Sequence, residues 1–244
     1  MLLTKKNYRR DYVGEKIVTE RVYNGRVWND SFEFIPNAVT NNQISNKACV
    51  IGNGPSRLKF PLNALKNPAG LLGADSLQTY GCNGLFRDFD PDFLVATGNK
   101  IVDEISKTKY PIDNIVYTNA IHLLEHPGKF YLIPHDPYVD AGTTAMYIAA
   151  FDGHKKIYLL GFDGQDTPGY NYNVYADSNG YTAKHSTVDD IKWGQYRRTC
   201  IDTYNDVDFV WVTESGRSST PAILKPCVNF RQISQRDFVL EAGL

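Results

Sequence analysis

Apolar and polar residues alternate along this chain in short blocks, and the blocks change character near residue 47. From there, near-continuous apolar runs of four to six residues recur, separated by helical patterns or turn-rich connections. Runs of that kind predict strands buried on both faces. They are Ala48-Cys49-Val50-Ile51, Leu77 to Cys82, Phe93 to Thr97, Asn114 to Tyr117, Lys129 to Ile133, Lys156 to Gly161 and Asp208 to Val212. Helices are predicted over Lys100–Lys107, over the alanine-rich stretch Gly142–Asp152 with Gly153 as its stop, and over Ser186 to about Tyr204. In the last of these, Ser186 and Asp189 have capping-box spacing, and Trp193, Tyr196, Cys200 and Tyr204 form an apolar stripe. Strand–helix alternation predicts an α/β fold: a Rossmann-like, doubly wound, mostly parallel sheet with helices on both faces, occupying residues 46–244.

The first 45 residues read differently. Asn24-Gly25 lies between two β-forming runs, Lys16–Tyr23 and Arg26–Trp28, and predicts a β-hairpin extension. Such an arm either covers a sheet edge of its own chain or docks on another subunit or protein.

Within the α/β part, Gly52-Asn53-Gly54-Pro55-Ser56 directly follows the first buried strand. Glycines at a strand end permit a sharp turn and close approach to a ligand, and Pro55 suits a first helical turn. The stretch therefore reads either as a phosphate or nucleotide loop or as a plain polar turn. It lacks the Gly-Lys-Ser/Thr of a Walker loop, and Arg57 replaces the third glycine of a dinucleotide fingerprint. In a doubly wound sheet, ligands bind beyond the strand carboxyl ends. That rule groups Asn53, Asn83, Thr97, Gly142, Asp163 and the aperiodic stretch 164–184, read as a long loop or lid.

Three further candidates carry chemistry. His122-Leu123-Leu124-Glu125-His126 has the inverted zinc-peptidase spelling, but Pro127-Gly128 follows at once and a surface loop end is the favoured reading. Asp88-Phe89-Asp90 offers oxygen ligands for a divalent cation, although its turn-rich surroundings favour Asx-turns. His185, just before a helix N-terminus, is placed to stay neutral and act as a general base, or to be an ordinary loop histidine. No metal site is assigned.

Bulk properties narrow the class. A formal net charge of −1 over 244 residues gives no general attraction to nucleic acid or to a membrane surface. No apolar run is long enough to span a bilayer and no signal peptide is read, so a cytoplasmic location is expected. The four cysteines lack paired spacing; Cys49 and Cys82 read as buried thiols in a reducing compartment.

Several of these segments together resemble the small bacterial sialyltransferases that use a CMP-activated sugar. The resemblance rests on Ile51 to Ser56, on Cys82-Asn83 with Phe86, and on Ala141-Gly142 before the alanine-rich helix. It extends through Gly153 to Asp163 and through Lys184-His185-Ser186 with Asp190-Ile191, covering about residues 47–215 in order. Pterin pyrophosphokinase-like proteins share the glycine–asparagine opening, so nucleotide-dependent pyrophosphate transfer is a third reading.

The resemblance implies metal-independent, inverting sugar transfer from a CMP-sugar to an acceptor hydroxyl, with no cofactor, by a homo-oligomer. It implies that Gly52, Asn53, Gly54, Ser56, Asn83, Gly142 and Asp163 bind the nucleotide, and that His185 deprotonates the acceptor. Two lid tyrosines of that family hydrogen-bond the departing phosphate. Gln165 stands in place of the first, and Tyr175 matches the second, with Tyr170 and Tyr172 nearby. The family's arginine before the helix start has no counterpart in Tyr138-Val139-Asp140. The alternative is a non-catalytic structural or interaction protein, a component of a larger assembly that reuses the fold and docks through its N-terminal arm.

Overall fold

The structure, a computed structural model, describes residues 3–11, 14–23, 26–36, 45–66, 77–133, 136–163, 173–182, 187–215 and 220–244, with the backbone course alone for 3–36 and 187–190. The chain divides into two compact units, Met1–Asn42 and Gln43–Leu244.

The first unit is a three-stranded antiparallel sheet in the order β1-β2-β3: Leu3–Asp11, Gly14–Tyr23 and Arg26–Pro36. The hairpin expected around Asn24-Gly25 is present as the β2–β3 pairing, with Tyr23 opposite Arg26. The extension is larger than a hairpin, because the basic start of the chain adds β1, paired with β2 from Leu3↔Val22 to Asp11↔Gly14. Lys5, Lys6, Arg9 and Arg10 fall on that strand, where tertiary pairing overrides the low strand propensity of lysine.

The second unit is an α/β fold around an eight-stranded sheet in which every pairing is parallel. Its strands are β4 (Lys47–Ile51), β5 (Gln78–Cys82), β6 (Phe93–Val95), β7 (Ile115–Thr118), β8 (Tyr131–Leu132), β9 (Lys156–Leu160), β10 (Asp208–Thr213) and β11 (Phe230–Ser234). Spatial order is β11-β10-β9-β4-β5-β6-β7-β8. The chain thus starts in the middle at β4, runs outward to β8, returns to the other side of β4 at β9, and runs outward again.

The helices are α1 (Asn99–Ser106), α2 (Tyr110–Asp113), α3 (Ala120–Glu125), α4 (Ala141–Phe151), α5 (Thr187–Thr203) and α6 (Gln235–Ala242). Central burial explains the apolar runs: Ala48 to Ile51 are fully buried, as are Ile157, Tyr158 and Leu160. Each of the valine, isoleucine and leucine side chains among them contributes about 1.5–3 kcal/mol by leaving water. Helix α4 is apolar on nearly every side because it packs against β4, β5, β6, β9 and α5. Gly153, at φ 102°, ends the turn that follows it. Helix α1 instead shows one buried stripe, Ile101, Val102 and Ile105.

Two sequence readings need correction. The His122–His126 motif is at the surface as expected, with Leu124 and Glu125 exposed, but it is the end of helix α3 and not a loop, and His122 is buried, its Nδ1 2.9 Å from Glu125 Oε2. Asn119 caps that helix by accepting from the His122 amide. Secondly, β11 and α6 are absent from the expected elements. Helix α6 is capped by Ser234, which accepts from the Asp237 amide, and ends at Gly243 with φ 78°. No helix among the described residues is long and apolar enough to cross a membrane.

Candidate functional site

The reversal of strand order at β4/β9 leaves a cleft of about 270 Å³ at the carboxyl ends of the central strands. Gly52, Asn53 and Gly54 from the end of β4, Asn83 from the end of β5, Gly142 from the start of α4 and Asp163 from the end of β9 all line it. Six of the residues assigned to nucleotide binding thus come from four separated segments to one place.

The glycine stretch is built differently from a phosphate loop. Gly54 has ordinary extended backbone (φ −72°, ψ 150°), and Pro55–Lys59 form a single 3-10 turn. What requires glycine is the approach of the β9 end. A Cβ on Gly54 would meet the Gly161 carbonyl oxygen at 2.7 Å as well as the Asp163 carboxylate, and one on Gly52 would meet the Gly161 carbonyl and the Phe162 ring. The Gly52 amide donates to Leu160 O at 2.8 Å, the Gly54 amide to Gly161 O at 2.8 Å, and the Ser56 amide to Asp163 Oδ2 at 2.6 Å. These three amides are engaged inside the protein, and Asp163 holds the place at the turn's N-terminus that an anion would take. Ser56 is not among the lining residues. The close approach foreseen for the glycines is therefore to the β9 loop.

The N-terminus of α4 is occupied in the same way. Asp140 accepts from the Thr143 amide at 2.9 Å and from Thr143 Oγ1 at 2.6 Å, and it lines the cleft beside Gly142. The N-terminus of the Pro55–Lys59 turn and that of α4 thus each carry a carboxylate of the chain itself.

Asn53 is the most constrained polar residue of the site, with 7% of its surface exposed. Its Nδ2 donates to Cys82 O at 3.0 Å and to the Tyr181 hydroxyl oxygen at 3.2 Å. The Cys82 carbonyl fixes the orientation of the amide, because the flipped form would set two acceptors against each other. Oδ1 is left buried with no partner in the protein. Asn83, rather than Asn53, adopts the left-handed backbone expected of an asparagine here, at φ 45°. Its Oδ1 accepts from the Thr97 amide at 3.1 Å, so Thr97 supports Asn83 but is not itself among the lining residues. Burial pushes the Cys82 thiol up to about 12, so it is a protonated wall group and not a nucleophile.

Tyr175 is not among the cleft-lining residues; its ring packs behind Tyr181, 5.6 Å between centres. It is buried, and its hydroxyl donates to Asp88 Oδ2 at 2.6 Å and accepts from Arg57 Nη2 at 2.8 Å; Arg57 in turn donates to Asp88 at 2.9 Å. Burial would raise the Asp88 carboxyl, but the bonds from Tyr175 and Arg57 outweigh it and hold it below the usual carboxylate range. Asp88 therefore serves an internal ion pair, and among the described residues no group of three or more His, Cys, Asp or Glu is disposed to hold a metal ion.

The part of the lid stretch that is described, residues 173–182, is fastened down. The Val174 amide donates to Asn53 O, Arg87 donates to Ser178 Oγ and Asn179 O, and Asn179 Nδ2 donates to Glu104. His185, with Gln165, Tyr170, Tyr172 and the Ser186 cap, lies outside the described residues.

Tyr181, Asp140, Trp193 and Arg197 also line the cleft and were not foreseen as site residues. Asp140 had a legible signal, an N-cap residue directly before a helical run. Tyr181 follows Asn179-Gly180 and reaches the site only through the turn those residues make, with Gly180 at φ 82°. Arg197 brings a guanidinium to the wall, 5.2 Å from the centre of the Phe162 ring. No protein-family model, no curated protein and no solved structure matches this chain.

Proposed function

We propose that the cleft binds a CMP-activated sugar and that the protein is a metal-independent, inverting glycosyltransferase of sialyltransferase type. The observation that carries this reading is the convergence of Asn53, Asn83, Gly142 and Asp163 on one cleft where strand order reverses. A doubly wound, Rossmann-like arrangement belongs to the same proposal, because right-handed crossovers running in opposite directions from β4 put their helices on opposite faces.

In this reading the acceptor oxygen attacks the anomeric carbon and His185 takes its proton. The bond from that carbon to the phosphate oxygen breaks, and CMP leaves with the bonding pair. Donors around the cleft stabilise the departing charge. The decisive experiment follows CMP release from a CMP-sugar in the presence of a chelator. The native chain is expected to turn over, and His185→Ala to lose about 10²–10⁴-fold in rate with its fold intact. Turnover that requires Mg²⁺ and consumes ATP or GTP instead would replace this reading with pyrophosphate transfer.

A second reading is favoured by the separate unit Met1–Asn42, whose long strands β1 and β3 form the two edges of their sheet. There the protein is a non-catalytic component of an assembly that docks through this unit. Deleting residues 1–42 then abolishes assembly with the partner, whereas the enzyme reading leaves CMP release unchanged.

A further inference from the structure

Two groups of the cleft, a buried acceptor with no partner in the protein and a hydroxyl whose oxygen accepts twice, point to one kind of ligand group. The first is Asn53 Oδ1, an acceptor on a residue more than nine-tenths buried. The second is the Tyr181 hydroxyl. The Tyr181 oxygen already accepts from the Gly84 amide at 2.8 Å and from Asn53 Nδ2 at 3.2 Å, so both of its lone pairs are engaged and its proton is directed elsewhere. Burial pushes this phenol above its ordinary range, so the proton stays on. Asn53 and Tyr181 both line the cleft and are joined by the Nδ2–Oη hydrogen bond, so the orphan acceptor and the remaining donor belong to neighbouring side chains of one wall.

The phosphodiester of a CMP-sugar carries no proton, so it offers only acceptors and cannot satisfy Asn53 Oδ1. It would also face the carboxylates of Asp163 and Asp140, which already hold the anion positions of the 3-10 turn and of α4. A hydroxyl group does both things required, donating one hydrogen bond and accepting another. Burying an unmet acceptor costs about 1–3 kcal/mol, so a ligand that meets it gains in affinity.

We infer that the Asn53–Tyr181 floor of the cleft is a hydroxyl-recognising subsite, which takes a ribose or sugar hydroxyl as donor to Asn53 Oδ1 and acceptor from Tyr181 Oη, and leaves the phosphate elsewhere. This deepens the CMP-sugar reading and rests on it for the identity of the ligand. The hydroxyl comes either from the nucleotide's ribose or from the transferred sugar.

The test is calorimetric titration of the full chain and of Tyr181→Phe, whose melting temperature is checked first. The titrants are cytidine, 2′,3′-dideoxycytidine, CMP, a CMP-sugar, D-ribose and inorganic phosphate. If the ribose fills the subsite, cytidine binds within about tenfold of CMP and dideoxycytidine at least tenfold more weakly than cytidine. If the transferred sugar fills it, the CMP-sugar binds at least tenfold more tightly than CMP. In either case Tyr181→Phe removes the difference, and inorganic phosphate does not displace CMP. Displacement of CMP by phosphate, or unchanged discrimination in Tyr181→Phe, overturns the inference while leaving the CMP reading in place. Binding of D-ribose alone, lost in Tyr181→Phe, keeps the subsite and removes the CMP reading; binding of none of the six overturns both.

Discussion

The Ser56 amide donates to the Asp163 carboxylate at 2.6 Å, joining the end of the first core strand to the end of the strand that returns beside it. With the Gly54 amide on Gly161 O, this contact makes the glycine turn a clasp across the point where strand order reverses. The clasp shapes one side of the cleft, and the missing side chains of Gly52 and Gly54 are what allow it to close.

Replacing Gly54 by alanine forces a Cβ against the Gly161 carbonyl and the Asp163 carboxylate. Because the obstructing atoms include backbone, the strands must part, and Gly54→Ala is expected to destabilise the chain by about 1–3 kcal/mol. Gly98→Ala is the control, since the nearest atom to its Cβ would be 3.8 Å away. Urea unfolding of both variants checks this. Equal stability of the two would show that the turn is not a clasp.

Tyr175 holds Asp88 and Arg57 together and is not among the cleft-lining residues. Tyr175→Phe should therefore cost about 1–2 kcal/mol of stability while leaving nucleotide affinity within twofold. Loss of affinity at full stability would instead place this phenol at the ligand, as the family resemblance implies.

His154 gives a pH dependence with a defined sign. It is fully buried, with Nδ1 2.7 Å from Ser45 O and Nε2 3.0 Å from the Tyr80 hydroxyl, which also lies 2.6 Å from Asp152 Oδ2. Burial outweighs the Ser45 hydrogen bond and lowers the imidazole from 6.5 to about 4. Between these values the unfolded chain binds more protons than the folded one, so stability falls as pH drops from 6.5 towards 4. The loss attributable to this residue is on the order of 3 kcal/mol. Denaturation at a series of pH values should show it, and His154→Gln should flatten that part of the curve. An unchanged slope in the variant would assign the effect to other groups.

The buried strands were legible because burial on both faces requires continuous apolar runs, as in Ala48–Ile51 and Lys156–Leu160. Strand β11 was not, because it is an edge strand with mostly half-buried, polar positions: Arg231, Gln232 and Ser234 leave no apolar run to read. Strand β1 was missed for a related reason, since lysines and arginines carry no strand signal and its register comes from pairing with β2. In the site, the residues on short turns after strands were legible from position alone. The partners of those residues were not. That Asp163 occupies the turn's N-terminus, and that Tyr175 points to Asp88 while Tyr181 meets Asn53, depends on how distant segments pack and leaves no trace in local pattern.

The central claim is a CMP site built around Asn53, and the most direct measurement is calorimetric titration with CMP, UMP, GMP and AMP, each with and without Mg²⁺. CMP is expected to bind in preference to the other three, unchanged by the metal, and at least tenfold more weakly to Asn53→Ala with the fold retained. Binding of none of the four, or equal binding of all with no response to Asn53→Ala, would contradict this claim and favour an assembly component.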